Sequence, residues 1–377
     1  MKLSGKFGQR EKLLESSFKT IFFIYGIFGV HMLDSKNKRI YVLKCLHVGI
    51  FILTVVYRDF IGIIFQYLTN RTTVKIYLIS LTYKFLEVTV LVLVLFKRKE
   101  FSEIAGKVTN FCTRMQPSEA ESKTLINKAR ATCYKLLFIH VVMCVSAYLR
   151  YIADKNDVVF LLRGHTLNLF DDTFLLNHQI AIFTISVILC IFWNLASMLY
   201  TAFYSVTCHA LCSAIDAFKE KLLLAKPEEF EDIAILANHV ETMVKFVDRK
   251  LSLVTFFTFL NTFGIITASA TDLARSHKYT AYGHSFRFAY FGYNFYLFLR
   301  LVLVAAKVNE AGKEVQILSH NIPWNQPEYE KERFILVSRL KSLNTTLTLW
   351  NIGELKKQFL LSSCSALLSY FVLLSSI

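Results

Sequence analysis

Residues 179–207 read QIAIFTISVILCIFWNLASMLYTAFYSVT, a stretch without a single Asp, Glu, Lys or Arg. A helix of about 20 apolar residues crosses a hydrocarbon core about 30 Å thick. The stretch therefore predicts a helix that crosses a membrane. Six more stretches meet the same criterion, namely residues 40–57, 76–96, 131–151, 251–271, 286–306 and 359–377.

The composition of the whole chain agrees with a membrane protein. The 377 residues are 54% hydrophobic and 19% charged, the mean hydropathy is +0.42, and Gly (13) and Pro (4) are scarce. A soluble chain of this length has more charged and turn-forming residues, and a transmembrane β-barrel needs short alternating segments with many turns. The prediction is one all-α membrane domain over residues 1–377, with seven transmembrane helices and no attached soluble domain.

Lys and Arg alternate between the linkers that join the apolar stretches. The rich linkers together hold 30 of them, and they are residues 1–39, 97–130, 208–250 and 307–358. The poor linkers hold only 8, and they are residues 58–74, 150–178 and 272–287. Because Lys and Arg accumulate on the inner side of a membrane, the N-terminus is predicted to be cytoplasmic and the C-terminus extracellular. The net charge of +15 thus indicates a membrane and not a nucleic-acid partner.

Segments outside the crossings carry further predictions. The apolar run 21–30 is too short to span and predicts a helix at the inner membrane interface. Apolar residues at helical spacing in 211–224, 230–249 and 328–347 predict a packed helical bundle on the cytoplasmic side. Asn70 opens the sequon Asn70-Arg71-Thr72 in a predicted outer linker, so glycosylation is predicted there.

The sequence contains no catalytic constellation. It has no phosphate-binding Gly loop, no Gly-x-Ser-x-Gly elbow and no His-Glu-x-x-His motif, so we predict neither an enzyme nor a cofactor or metal site. His140, near a helix centre, is interpreted as a hydrogen-bonded interior group and not as a metal ligand. Glu87 is the one carboxylate expected at mid-membrane, and Lys84 lies three residues earlier on the same helical face. A structural ion pair is the favoured interpretation, and a gating charge is the alternative.

The last apolar stretch, 359–377, reads FLLSSCSALLSYFVLLSSI. Its serines recur at steps of three, four and seven residues and so share one helical face. The serines in question are Ser362, Ser365, Ser369 and Ser376. Val372 and Leu373 flank the same face. This pattern is typical of a pore wall, with hydroxyls that replace water around an ion and an apolar constriction that closes by dewetting. Small residues that let helices pack closely in lipid give the same pattern.

The C-terminal third resembles the insect gustatory receptor family. Three segments carry the resemblance: 308–320 (VNEAGKEVQILSH), 332–340 (ERFILVSRL) and the ending, 348–377. The family ends in Thr-Tyr, five apolar residues, Gln and Phe. Here Tyr370 matches that ending, Ser369 replaces the Thr, and Ser376 and Ile377 depart from it. The N-terminal run YGIFG, residues 25–29, also resembles a family segment before the first crossing.

The resemblance implies a taste chemoreceptor that works as a ligand-gated, non-selective cation channel. Four subunits, as a homo- or hetero-tetramer of related receptors, would surround one pore lined by the last helix. The inner helices would hold the tetramer together. Small external tastants would open the channel and drive acceptance or avoidance, and the protein would reside in the plasma membrane of sensory-neuron dendrites.

A ligand pocket is predicted within the outer halves of the second to sixth helices. Aromatic walls with a few hydroxyl groups suit many small organic molecules. The candidates that fit this description are Tyr83, Ser146, Tyr148, Thr184, Thr267, Tyr290, Tyr293 and Asn294.

Two other classes of membrane protein remain as alternatives. A G-protein-coupled receptor has an external N-terminus, an Asp-Arg-Tyr-like triplet after its third helix and Asn-Pro-x-x-Tyr in its seventh, and this sequence has neither motif. A secondary transporter of small organic molecules predicts internal symmetry and broken helices at mid-membrane, and the sequence shows no internal repeat.

Overall fold

The computed structural model describes residues 18–26, 49, 74–115, 119–153, 195–274, 281–321 and 327–375, and these ranges are almost entirely helical. In chain order the helices are α1 (Val74–Phe96), α2 (Arg98–Met115), α3 (Glu119–Ala153), α4 (Leu195–Leu224), α5 (Phe230–Ala274), α6 (Ala281–Leu318), α7 (Glu330–Lys341) and α8 (Lys357–Ser375). The predicted crossing 40–57, apart from Gly49, and residues 179–194 of the fourth crossing lie outside the described residues.

Four helices in the described part of the chain are long and apolar enough to cross a membrane. The qualifying segments are Ser122–Leu149, Leu195–Leu224, Pro227–Ala270 and Gly283–Leu318. Helix α5 has 45 residues, which corresponds to about 68 Å, or about twice the thickness of a hydrocarbon core. Helices of this length extend well beyond a bilayer. The predicted extensions 211–224 and 230–249 therefore continue the membrane helices α4 and α5 without a break.

The chain reverses direction between α4 and α5 at the 3-10 turn Pro227–Glu229. Proline suits the first position of a helical turn, because the N–H that it lacks would have no partner there. The Glu229 carboxylate accepts a hydrogen bond from the Lys226 backbone N–H at 3.1 Å. Glu231 and Asp232 follow in the first turn of α5, where negative charge is favourable to the helix dipole. Local sequence thus determines this reversal.

Helix α4 is the centre of the bundle. It packs against α1, α2, α3, α5 and α6, and every residue from 195 to 208 is buried. Aromatic side chains fill much of this core, and the Phe203 ring lies 4.8 Å from that of Phe101 on α2. Helix α4 therefore holds the surrounding helices together through its buried side chains.

The N-terminal apolar run is helical over residues 18–26, but it is built into the core. Phe18, Ile21 and Tyr25 are buried, and the Phe18 and Phe22 rings lie 5.9 and 6.2 Å from the ring of Phe203. These residues recur every three or four positions, so one helical face packs on α4 while the opposite face stays open. Its position at the membrane interface stays a prediction.

The predicted helix 328–347 is wrong at its end, because α7 stops at Lys341. Burial then alternates along the chain: Leu343, Thr345 and Leu347 are buried, whereas Ser342 and Asn344 are exposed. A period of two is the signature of an extended strand, not of a helix. The segment continues into a small antiparallel hairpin of β1 (Thr348–Leu349) and β2 (Gly353–Glu354).

Gly312 on α6 permits this extended segment to lie against the bundle. A Cβ atom at that position would overlap the side chain of Thr345. Glycine is thus required here for close approach of the Thr345 side chain to the backbone of α6 and not for an unusual backbone angle.

Candidate pore face and ligand pocket

Helix α8 begins on a fixed base. The Asp248 carboxylate on α5 accepts hydrogen bonds from the backbone N–H of Thr348 at 2.7 Å and from its hydroxyl at 2.8 Å. Trp350 and Asn351 in the hairpin have φ angles of 48° and 59°, in the left-handed region that asparagine tolerates and tryptophan rarely adopts. The Trp350 ring lies 5.6 Å from that of Phe256. The hairpin is therefore held against α5 just before α8 starts.

The first turn of α8 contacts two other helices. Lys357 forms an ion pair with Glu310 of α6 at 2.8 Å, and the Phe359 ring lies 5.3 Å from that of Phe259 on α5. Above this turn one face of α8 packs on α5 and α6, with Ser363 buried and Cys364 and Leu367 half-buried.

The opposite face of α8 is open along its whole described length. Ser362, Ser365 and Ser369 are exposed on it. They alternate with apolar residues of large exposure, Leu361 at 71%, Leu368 at 66% and Val372 at 64%. The Ser362 hydroxyl donates to the Gln358 carbonyl at 3.1 Å, which leaves its oxygen lone pairs directed outward. Three of the four serines predicted to share a face, Ser362, Ser365 and Ser369, do so, and no helix in the described part of the chain covers that face.

Part of the predicted pore motif cannot be placed. Ser376 and Ile377 lie outside the described residues, and for Leu373 and Tyr370 only the helical backbone is described.

Three of the predicted pocket residues meet on α6. Tyr293 is buried, and its hydroxyl lies 3.0 Å from Nδ1 of His140 on α3. Asn294 is also buried, and its side-chain amide donates to the Tyr290 carbonyl at 2.9 Å. The Tyr290 ring stacks on that of Phe286 at 5.8 Å. A compact aromatic and polar cluster thus links α3 and α6.

His140 was not among the predicted pocket residues, although its ring lies within hydrogen-bond distance of the predicted residue Tyr293. The sequence did predict a hydrogen-bonded interior histidine, and that prediction is confirmed. The 153 residues that separate the two partners left no local signal for the pairing. Polar residues near helix centres on two different helices were the only available clue.

The predicted ion pair on α1 is also confirmed. The Lys84 ammonium lies 3.0 Å from the Glu87 carboxylate, and Glu87 is buried. Glu87 lies within electrostatic range of Tyr293 in the cluster on α3 and α6.

The other pocket candidates do not join this cluster. The Ser146 hydroxyl donates to the Val142 carbonyl of its own helix at 2.9 Å, and Tyr148 is exposed. Thr267 lies instead in an apolar cleft of about 560 Å³ between α5, α6 and α8, together with Phe291 and Leu367. Thr184, Asn70 and the side chain of Tyr83 lie outside the described residues.

No metal centre is present in the described ranges, where no three His, Cys, Asp or Glu side chains come together as ligands. The arrangement offers two features instead: an open face of serines and apolar residues on α8, and a buried polar and aromatic cluster between α3 and α6.

Known structures provide the remaining comparison. No protein-family model and no curated protein matches the chain. Eighteen chains of solved structures do match. The insect olfactory receptor OR5 from Machilis hrabei in complex with eugenol is 15% identical with a TM-score of 0.70, covering 99% of this chain and 98% of that chain. Another structure of the same receptor, also 15% identical, has a TM-score of 0.69 and covers 95% of this chain and 97% of that one.

The likeness extends over nearly the whole of both chains, so it describes the complete fold and not a shared fragment. Both structures are receptors and neither is an enzyme. The chain has the all-helical, multi-pass membrane fold of the insect olfactory receptors.

Proposed function

We propose that this chain is an insect gustatory receptor that acts as a ligand-gated, non-selective cation channel opened by small external tastants. The fold supports membership of the insect chemoreceptors in the broad sense. The sequence segments 308–320, 332–340 and 348–377 favour the gustatory branch over the olfactory one.

The open face of α8 carries the proposal. Three exposed serines and the exposed side chain of Val372 form a stripe that a single chain leaves uncovered. Four such stripes around a common axis would form a pore wall, with hydroxyls that stabilise partly dehydrated cations and an apolar ring that interrupts the water column.

The cytoplasmic half supplies surfaces suited to subunit assembly. Phe334 on α7 is 74% exposed, and Ile335 on α7 and Ile317 at the end of α6 are exposed as well. Helices α6 and α7 contact each other. Large apolar side chains exposed to cytoplasm favour association with another chain. We assign them to contacts within a homo- or hetero-tetramer.

The cluster of Tyr290, Tyr293, Asn294 and His140 is the proposed ligand site. It combines ring faces with hydroxyl, amide and imidazole groups, which suits a small organic molecule with at least one polar group. The Lys84–Glu87 pair beside it is a structural ion pair in this proposal and not an ion pathway.

The orientation follows from the charge of the linkers. The N-terminus is cytoplasmic, the C-terminus is extracellular, and Asn70 is the glycosylated residue. In a sensory neuron the protein resides in the plasma membrane of the dendrite, where an external tastant reaches the outer halves of the helices.

Expression in cells, alone and with related receptor subunits, tests the proposal. Water-soluble tastants and volatile odorants are applied while membrane current is recorded, and an epitope tag after Ile377 is stained on intact cells. We expect tastant-evoked cation current without a G-protein and surface staining of the tag. A cytoplasmic tag would overturn the proposal, and a response confined to volatile odorants would assign the chain to olfaction.

A further inference from the structure

Arg300 is a half-buried cation whose hydrogen-bond partners in the described part of the chain are a hydroxyl and an imidazole. It lies on α6 inside the predicted crossing 286–306. Its Nη2 donates to the Thr132 hydroxyl at 2.8 Å and to His209 Nε2 at 2.7 Å. Its Nε is buried and has no hydrogen-bond partner among the described residues. Across the described part of the chain no carboxylate pairs with this guanidinium. An uncompensated cation at such a site is costly and calls for an anion.

More cations converge on the same place from two helices. The Lys135 ammonium on α3 lies 5.6 Å from the ring centre of Tyr296, one turn before Arg300. Lys128 on α3 and Lys307 on α6 are close enough to exert an electrostatic effect on His209. All three lysine side chains are exposed. The guanidinium thus forms the buried end of a group whose other members reach the surface.

The group lies at one level of the predicted membrane. Thr132 is the second residue of crossing 131–151, Lys307 directly follows crossing 286–306, and His209 comes two residues after crossing 179–207. Arg300 lies six residues inside its crossing, or about 9 Å, a depth from which a long side chain still reaches the headgroup layer. The group therefore lies at the membrane depth of the inner-leaflet phosphates.

Other cations at the inner side are compensated within the chain. Lys97 pairs with Glu100 at 3.2 Å, and Lys250 lies 3.7 Å from Glu103. Lys107 hydrogen bonds to Glu103 and lowers the pKa of that carboxyl. Among the described residues, carboxylates thus pair with the inner-side lysines where α2 meets α5, whereas none forms an ion pair with Lys128, Lys135 or Lys307.

We propose that Arg300, together with Lys128, Lys135 and Lys307, binds the phosphate of an anionic phospholipid of the inner leaflet at the surface where α3 and α6 pack together. Guanidinium donors match a phosphate in geometry and charge, and basic crevices between helices on the cytoplasmic side are suited to lipid headgroups. The inference rests on the orientation proposed above but not on channel activity.

Lipid binding to the purified full chain tests this site without recording a current. Nanodiscs of phosphatidylcholine are prepared with and without phosphatidylserine, and bound lipid and the thermal unfolding midpoint are measured. The variants are Arg300→Gln and the double variant Lys135→Gln with Lys307→Gln. The matched control is Arg249→Gln, an exposed arginine two residues before crossing 251–271.

We expect phosphatidylserine to bind in preference to phosphatidylcholine and to raise the midpoint of the wild type. Each charge removed from the proposed site should weaken this binding about fivefold, whereas Arg249→Gln should leave it unchanged. The double variant changes only exposed side chains, so it still tests the site if the Arg300→Gln protein does not fold. Equal binding of both lipids, or equal loss in the control, would overturn the site. If inorganic phosphate alone reproduces the shift in midpoint, the anion is soluble and the assignment to lipid is wrong.

Discussion

Helices α4 and α8 have similar residues but opposite surroundings. Both are apolar and rich in small hydroxyl side chains. In α4 the hydroxyls are buried by the chain's own helices: Thr201 donates to the Ser197 carbonyl at 2.7 Å, and Asn261 of α5 donates to the Ser197 hydroxyl at 3.0 Å. In α8, by contrast, Ser362, Ser365 and Ser369 are exposed. Composition alone therefore does not separate helix packing from a pore wall, and coverage by neighbouring helices does.

The largest expected effect comes from the same substitution in the two helices. Ser197→Leu overfills a closed site and removes the hydroxyl that accepts a hydrogen bond from the Asn261 amide, which together cost about 2–6 kcal/mol. We expect no folded protein at the cell surface. Ser365→Leu lies on the open face and should leave surface expression near that of the wild type while it reduces evoked current. Surface biotinylation and current recording measure both, and equal loss of surface protein would break the comparison.

The next largest effect is expected at the apolar constriction on the open face of α8. Val372→Ser, or Leu373→Ser, places a hydroxyl in the proposed dewetted ring, and we expect basal current to rise about tenfold because water and ions then pass without ligand. Leu361→Ser is the control, since it lies on the same face near the inner end of α8. Unchanged basal current in both gate variants would mean that the face packs against another helix.

A smaller effect is expected when the hairpin that precedes α8 loses its hydrogen bonds to α5. Asp248→Ala removes two hydrogen bonds to Thr348, and we expect a loss of about 1–3 kcal/mol in stability. The thermal midpoint should fall, and evoked current should fall more than surface expression. Asp216→Ala, at an exposed carboxylate of α4, is the control and should change neither. Equal behaviour of the two variants would show that the hairpin does not support α8.

The smallest expected effect is a difference in how fast a thiol reagent reacts with cysteines on the two faces of α8. Ser362→Cys or Ser365→Cys should react with a charged thiol reagent, and the reaction should be faster when ligand is present and should reduce the current. Ser363→Cys, on the packed face, and native Cys208, which is buried, should react slowly. Similar rates at Ser362→Cys and Ser363→Cys would contradict the two-faced description of α8.

Sequence periodicity predicted those features that depend on local spacing. The steps between serines placed three of them on one face, and the spacing of Lys84 and Glu87 predicted their ion pair. The contacts of Tyr293 with His140 and of Arg300 with His209 and Thr132 could not be predicted, because 91 to 168 residues separate the partners.

The end of α7 shows a different limit. Residues 328–347 have enough helical spacing to predict one helix, but the alternation from Leu343 onward satisfies an extended segment equally well. Packing against α6 favours the extended segment over the helix, because Gly312 leaves room there for the Thr345 side chain. Tertiary packing thus decided a local structure that the sequence left open.

The base of α8 has a mechanical consequence. Lys357 and Phe359 attach its first turn to α6 and α5, and the Thr348 hairpin is attached to α5 by Asp248. A rigid tilt of α8 would therefore be centred on its first turn, and Val372 lies about 22 Å from that turn. A tilt of about 5° about the first turn moves Val372 by about 2 Å. Small rotations of α5 would therefore change the width of the proposed pore at Val372 far more than its width at the inner end of α8.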